Sequence, residues 1–273
     1  MQRRLWVLLP LLCYALPAAA AAPTHAQIMT WCNDSDPQLR IRGCSLLIQS
    51  GKESPKVFAG AFFNRGNAYE AKGQYDLAIQ DFDSAIKRNP NDAAAFYSRG
   101  SSYFAKGQTD SAIQDFDRAI KLDPNDAMTL NNRGEAYREK GQDARAIQDF
   151  DRAITLKPNY ADAFNNRGAA YLAKKQAERA IQDFDSAIKL NPNFVDAFSN
   201  RGGAYLVKDQ GDLAIKDFDS AIKLNPRNAI ALYYRSVAKR NTGDANGIAN
   251  DLAAAKAIDP DIATKAGHQG LAP

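Results

Sequence analysis

The sequence is poor in the residues that most often carry chemistry. It has two histidines and three cysteines in 273 residues, and the histidines, His25 and His268, stand near opposite ends. A lone histidine in a tail is ordinarily solvated, not a base or a ligand. Two cysteines without nearby histidine are half of a zinc shell. There is no nucleophile beside a base and no glycine loop built to cradle phosphate. No catalysis, cofactor or metal is therefore expected. Charge of one sign is also scarce: 35 basic against 31 acidic residues leave +4 with no basic block, which argues against nucleic acid or an anionic membrane surface as partner. The longest apolar run, Leu5 to Leu16, is too short to span a bilayer as a mature helix.

That run has a different meaning. Arg3 and Arg4 precede it, and Pro17 and five alanines follow. Residues 1–22 read as a secretory signal peptide, with cleavage possible as far as Ala26. The paired arginines lack the rest of a twin-arginine signal, and Cys13 follows Leu12 where a lipoprotein signal needs a small residue. The expected location is periplasmic or secreted from a bacterium, without membrane insertion after cleavage; a retained, anchoring signal is the alternative. Cys13 leaves with the leader, and Cys32 and Cys44 form an even pair suited to an oxidising compartment. A bridge between them would contribute up to about 3 kcal/mol. Two unpaired thiols packed as small apolar groups are the other reading.

What the chain has in abundance is self-similarity at a period of 34 residues. Glycine recurs at Gly66, Gly100, Gly134, Gly168 and Gly202, and proline at Pro90, Pro124, Pro158, Pro192, Pro226 and Pro260. The tripeptide Asp-Phe-Asp begins at Asp81, Asp115, Asp149, Asp183 and Asp217 and decays to Asp251-Leu-Ala. A fixed period of this size marks a stacked array. Within a unit, Ala180, Ile181, Phe184, Ala187 and Ile188 share one stripe of a helix, and Phe164, Gly168 and Tyr171 share another. Each unit is therefore two antiparallel helices.

Gly66, Tyr69, Ala78, Phe82, Ala85 and Pro90 stand at the spacing of the tetratricopeptide repeat, and the chain resembles that family over residues 59–262. The resemblance implies an all-α, right-handed superhelical solenoid, with units at 59–92, 93–126, 127–160, 161–194, 195–228 and a degenerate cap at 229–262. Residues 28–58 look like a degenerate half-unit carrying the cysteine pair, in which Asp36 and Pro37 start a helix. The tail, 263–273, looks too short and glycine-rich for a full capping helix, so the last face would be open to a partner or a second copy.

Arginine precedes the repeated glycine, where the family usually has leucine, and a buried charge needs a partner. The second aspartate of Asp-Phe-Asp is lost in the last unit while the arginine stays. Six ion pairs are expected to fix the packing: Arg65 with Asp81, Arg99 with Asp115, Arg133 with Asp149, Arg167 with Asp183, Arg201 with Asp217 and Arg235 with Asp251. The alternative, arginines gathered for an anionic ligand, leaves the matching acids unexplained.

The first helix of each unit would line the concave groove. Asn64, Asn132, Asn166 and Asn200 recur there and resemble the asparagine ladder in the repeat arm of O-linked sugar transferases, where carboxamides track a peptide backbone; the bland reading is that they are solvated. Phe63, Tyr97, Tyr233 and Tyr234 are candidate anchors at the two ends of the groove. Phe63, Tyr97 and Asn131 occupy positions that hold lysines in members clamping a C-terminal carboxylate, so no such clamp is expected. The implied function is a non-catalytic scaffold for a protein or peptide in the cell envelope. A self-associating structural protein and a regulatory arm for an enzyme on another chain are the alternatives.

Overall fold

The computed structural model describes residues 22–241 and 244–268. The expected leader lies, but for its final residue, outside the described residues, as do positions 269–273 of the tail. Among the described residues all regular structure is helical. Six antiparallel pairs follow one another: α3 (Pro55–Ala71) with α4 (Tyr75–Arg88), α5 (Ala93–Ala105) with α6 (Thr109–Leu122), α7 (Ala127–Glu139) with α8 (Asp143–Leu156), α9 (Ala161–Ala173) with α10 (Ala177–Leu190), α11 (Val195–Val207) with α12 (Gly211–Leu224), and α13 (Ala229–Ala238) with α14 (Ala245–Ile258).

Local chemistry places the boundaries. Asp92 and Asp126 cap α5 and α7, each carboxylate accepting from two backbone N–H groups of the first turn. The turns between paired helices need one left-handed residue, supplied by Gly73, Gly107 and Gly141 at φ of 69°, 71° and 68°. In the next two units Lys175 and Asp209 take that conformation instead, at φ of 59° and 60°.

Inside each of the first five units the phenylalanine of the second helix is fully buried. It lies against the glycine of the first helix: a Cβ added to Gly66 would stand 2.7 Å from the Phe82 ring. Successive first helices touch one another directly, from α3 against α5 through to α11 against α13, whereas second helices meet mainly first helices. The first helices therefore form the inner layer of the array, and the second helices the outer one.

The ends differ from expectation. In place of a half-unit, the N-terminal segment is a pair of helices, α1 (His25–Cys32) and α2 (Pro37–Ser50). Asp36 caps α2 and Pro37 opens it. Cys32 and Cys44 join in a disulfide across the pair. A Cβ on Gly43 would lie 2.4 Å from the Cys32 backbone nitrogen, so the two helices touch backbone to side of helix. At the other end the tail does cover the last face: α15 (Ile262–His268) buries Ile262 and Ala266, and the Ala266 carbonyl accepts from the Tyr234 hydroxyl at 2.9 Å.

Candidate functional site

Each repeated arginine lies on the apolar stripe because its guanidinium meets carboxylates and, in the first five units, lies over at least one aromatic ring. The Arg167 carbon sits 5.5 Å from the Phe164 ring centre and 5.8 Å from that of Tyr171. Its Nε and Nη2 donate to Asp183 at 2.8 and 2.7 Å, a bidentate contact. Arg65 meets Asp81 in the same way at 2.7 and 2.8 Å. Arg99 with Asp115, Arg133 with Asp149, Arg201 with Asp217 and Arg235 with Asp251 complete the series.

The third contact was not anticipated. Nη1 of each arginine reaches back to the second aspartate of the preceding unit: Arg99 to Asp83, Arg133 to Asp117, Arg167 to Asp151, Arg201 to Asp185 and Arg235 to Asp219. Arg65, which has no such predecessor, donates instead to the Ser45 hydroxyl at 3.0 Å. The intra-unit carboxylates are almost wholly buried, Asp149 showing 6% of its side chain, while Asp151 shows 50%. Burial opposes the charge on Arg99 and Arg133, and the paired carboxylates more than offset it, holding both well above the ordinary arginine range. Burial pushes the Asp183 and Asp217 carboxyls up against the pull of their arginines. At Asp251 burial is outweighed by hydrogen bonds from Arg235 and Lys239, which hold it below the usual carboxylate value.

On the inner layer the asparagines do not form a free ladder, because their donors are engaged within the chain. Asn200 Nδ2 donates to Asn165 Oδ1 at 2.9 Å, and Asn132 Nδ2 to the Tyr97 hydroxyl at 3.1 Å. Asn166 Nδ2 donates to Asn131 Oδ1 at 3.1 Å and to Glu135 Oε1 at 2.9 Å. Asn64 Nδ2 donates to the Cys32 carbonyl and to Asn33 Oδ1. All of these bonds join one unit to the unit before it. Asn166 is itself buried, and a backbone-tracking role for its amide N–H groups is corrected on that ground.

Of the four aromatic candidates, Phe63 and Tyr97 are half-buried, each tilted against the core phenylalanine of its own unit at 5.9 and 6.1 Å between ring centres. Tyr233 is half-buried beside Tyr234. Tyr234 is 1% exposed and faces Phe218 and α15, so it is a core residue and not a groove anchor. Among the described residues no group of three or more histidine, cysteine or acidic side chains could hold a metal ion, and no helix is long and apolar enough to cross a membrane.

Models of the tetratricopeptide repeat match residues 63–127, 116–148, 134–175 and 161–194, an unbroken stretch of the paired helices just described. Residues 63–194 belong to the tetratricopeptide repeat family. Solved structures similar to this tetratricopeptide array include MamA, at 27% identity and a TM-score of 0.55, covering 63% of this chain and 93% of that one. YrrB, described as a tetratricopeptide protein with an unusual peptide-binding site, is 23% identical with a TM-score of 0.56 over 70% of this chain and 97% of its own. PilF of Pseudomonas aeruginosa is 20% identical with a TM-score of 0.68 over 80% and 99%. The last two likenesses are of fold. Comparison with curated proteins found no match.

In a tetratricopeptide array the stripe of a first helix turned from its own partner helix faces the groove. On α7 that stripe carries Met128, Asn131, Asn132 and Glu135, and on α11 it carries Asn200, Gly203, Leu206 and Val207. Met128 and Val207 are 50% and 51% exposed, apolar side chains with no place in the core.

Proposed function

We propose that the chain is a non-catalytic scaffold of the cell envelope that takes protein or peptide segments in the groove lined by α3, α5, α7, α9, α11 and α13. The observation that supports this most is the continuous inner layer of first helices, whose outward stripes present half-exposed apolar and aromatic side chains among amides. Export is supported by the apolar leader of the sequence and by the Cys32–Cys44 disulfide, a bond that persists in oxidising compartments. The cover that α15 places over the last pair weighs against end-to-end self-association through that face.

The test is capture from envelope extract with three forms of the chain. The groove variant combines Met128→Arg with Val207→Arg; the control combines Leu156→Arg with Leu190→Arg, exposed apolar residues of the outer helices. A partner held by the unaltered chain and the control but lost by the groove variant is the expected result. Equal retention by all three would move the binding surface out of the groove.

A further inference from the structure

The unmatched hydrogen-bonding capacity of the groove has a sign. Every aspartate of the Asp-Phe-Asp series is neutralised by an arginine, and Asp76, Asp110 and Glu178 meet lysines of the following unit. The groove carboxylates differ. Glu70 accepts only from the Ser102 hydroxyl, at 3.2 Å, and Glu135 only from Asn166. Among the described residues neither takes part in an ion pair. Burial pushes both carboxyls above the usual value; at Glu135 the Arg138 charge and the Asn166 amide offset this only in part, and Asp162 adds to it.

These groups form one field. Tyr97 feels both Asp126 and Glu70, while Tyr160, pushed up to about 12 mainly by burial, also feels Asp162, Tyr97, Glu135 and Asp126. A second feature is independent of charge. Both N–H groups of Asn64 and of Asn166 are engaged in the bonds between units, and those of Asn132 and Asn200 are engaged in part. The oxygens of Asn131, Asn132, Asn165 and Asn166 each accept one bond from a neighbouring amide and keep a second lone pair, while the Tyr160 ring is already faced by Lys157 Nζ at 4.4 Å. What this stretch offers a ligand is therefore richer in acceptors than in donors: two carboxylates, the remaining lone pairs of the amide oxygens, and Tyr97. A ligand that fits must bring N–H donors and positive charge.

We propose that the groove between Glu70 and Asp162 receives an extended basic segment of a partner protein. Its lysine or arginine side chains lie by Tyr97 against Glu70 and Glu135, and its backbone N–H groups face the lone pairs that the asparagine oxygens keep. This rests on the groove reading above and adds the chemistry of the ligand. An acidic or neutral segment would leave desolvated carboxylates without a counter-charge, which is the element of discrimination.

The test uses the full chain and three fluorescent peptides of repeating Lys-Ser-Ala, Glu-Ser-Ala and Asn-Ser-Ala, each with a benzophenone for photo-cross-linking. Anisotropy measures affinity, and mass spectrometry of the cross-links gives the place. Glu70→Gln with Glu135→Gln is the matched variant: it keeps the size and one acceptor oxygen of each side chain while removing the charge, and circular dichroism checks that it folds. The lysine peptide should bind about tenfold more tightly than the glutamate peptide, and weaken as ionic strength rises from about 0.01 M to about 0.15 M. Its affinity should fall about fivefold in the double variant, two partly exposed charge pairs being lost, and its cross-links should fall on α3, α5, α7 and α9. Preference for the glutamate or asparagine peptide, with cross-links on those helices, would overturn the charge assignment and leave the groove reading standing. Lysine-peptide binding untouched in the double variant, with cross-links on the second helices, would overturn both.

Discussion

A guanidinium on the apolar face of a helix is tolerated only if its donors are satisfied and its flat faces are covered. Here two donors meet a buried aspartate of the same unit and a third meets a half-exposed aspartate of the unit before. The two aspartates should differ in weight. Asp149→Ala strands the Arg133 charge and should cost about 3 kcal/mol, as breaking a buried pair does. Asp151→Ala removes an exposed contact and should cost about 0.5 kcal/mol. Urea denaturation of the two variants checks this, and equal small losses would refute it. The intra-unit pairing was legible because the arginine and first aspartate persist together into the last unit. The inter-unit contact left the same kind of trace, since Ala253 replaces the second aspartate only where no arginine follows. Within a single unit that substitution shows only that the arginine keeps company with the first aspartate. At Glu135 burial raises the folded-state pKa, so its contribution to stability is fullest below the unfolded value of about 4.3 and is lost as pH rises through the folded one. Glu135→Gln carries no such loss. Its melting temperature should exceed that of the unaltered chain near neutral pH, with the gain vanishing below about pH 4; a gain independent of pH would assign the effect to packing.

Within an element, the same substitution should have opposite effects according to what faces it. Both Gly60 and Gly66 lie in α3, but a Cβ at Gly60 meets nothing within 4 Å, whereas one at Gly66 meets the fully buried Phe82 ring at 2.7 Å. Gly60→Ala should stabilise by about 0.5–1 kcal/mol, the helical cost of glycine being removed. Gly66→Ala removes a similar cost but overpacks the core by about 1–3 kcal/mol, for a net loss of about 1 kcal/mol in denaturant midpoints. A gain at both positions would mean that the ring moves aside freely. The close approach at Gly66 was visible in the sequence, because a glycine repeated inside an amphipathic helix signals contact. Of the elements at the ends only α2 was, through Asp36 and Pro37; α1 and α15 lack the period that betrays the rest. Helix α1 has no repeat partner in sequence and is held by the disulfide and the Gly43 contact. Helix α15 has seven residues and owes its place to Ile262 and Ala266 fitting beside Tyr234. The groove asparagines were located correctly on the first helices, but their bonding partners are set by how one unit stacks on the next, which a single unit's pattern does not contain.

In the whole array each unit contacts its neighbours, so stability is a sum of unit terms and boundary terms. The arginine-centred contacts divide along that line. Asp149 belongs to a unit, whereas Asp117 and Asp151 belong to the boundaries between units two and three and between units three and four. Weakening a unit lowers the stability of the cooperative block without dividing it; weakening boundaries lets the units on either side unfold separately. Asp149→Ala should therefore shift the urea midpoint downward with little change in slope. Asp117→Asn combined with Asp151→Asn should move the midpoint by about 1–2 kcal/mol at most and broaden the transition, because less surface is exposed in each step. Hydrogen exchange should then show α3 to α6 and α9 to α12 opening at different free energies in the double variant and together in the unaltered chain. A slope unchanged in both would mean that the apolar contacts between units carry the coupling alone and that the second aspartates only orient the arginines. A slope lowered in the boundary variant alone would make the arginine-to-aspartate bridge the means by which successive units unfold as one.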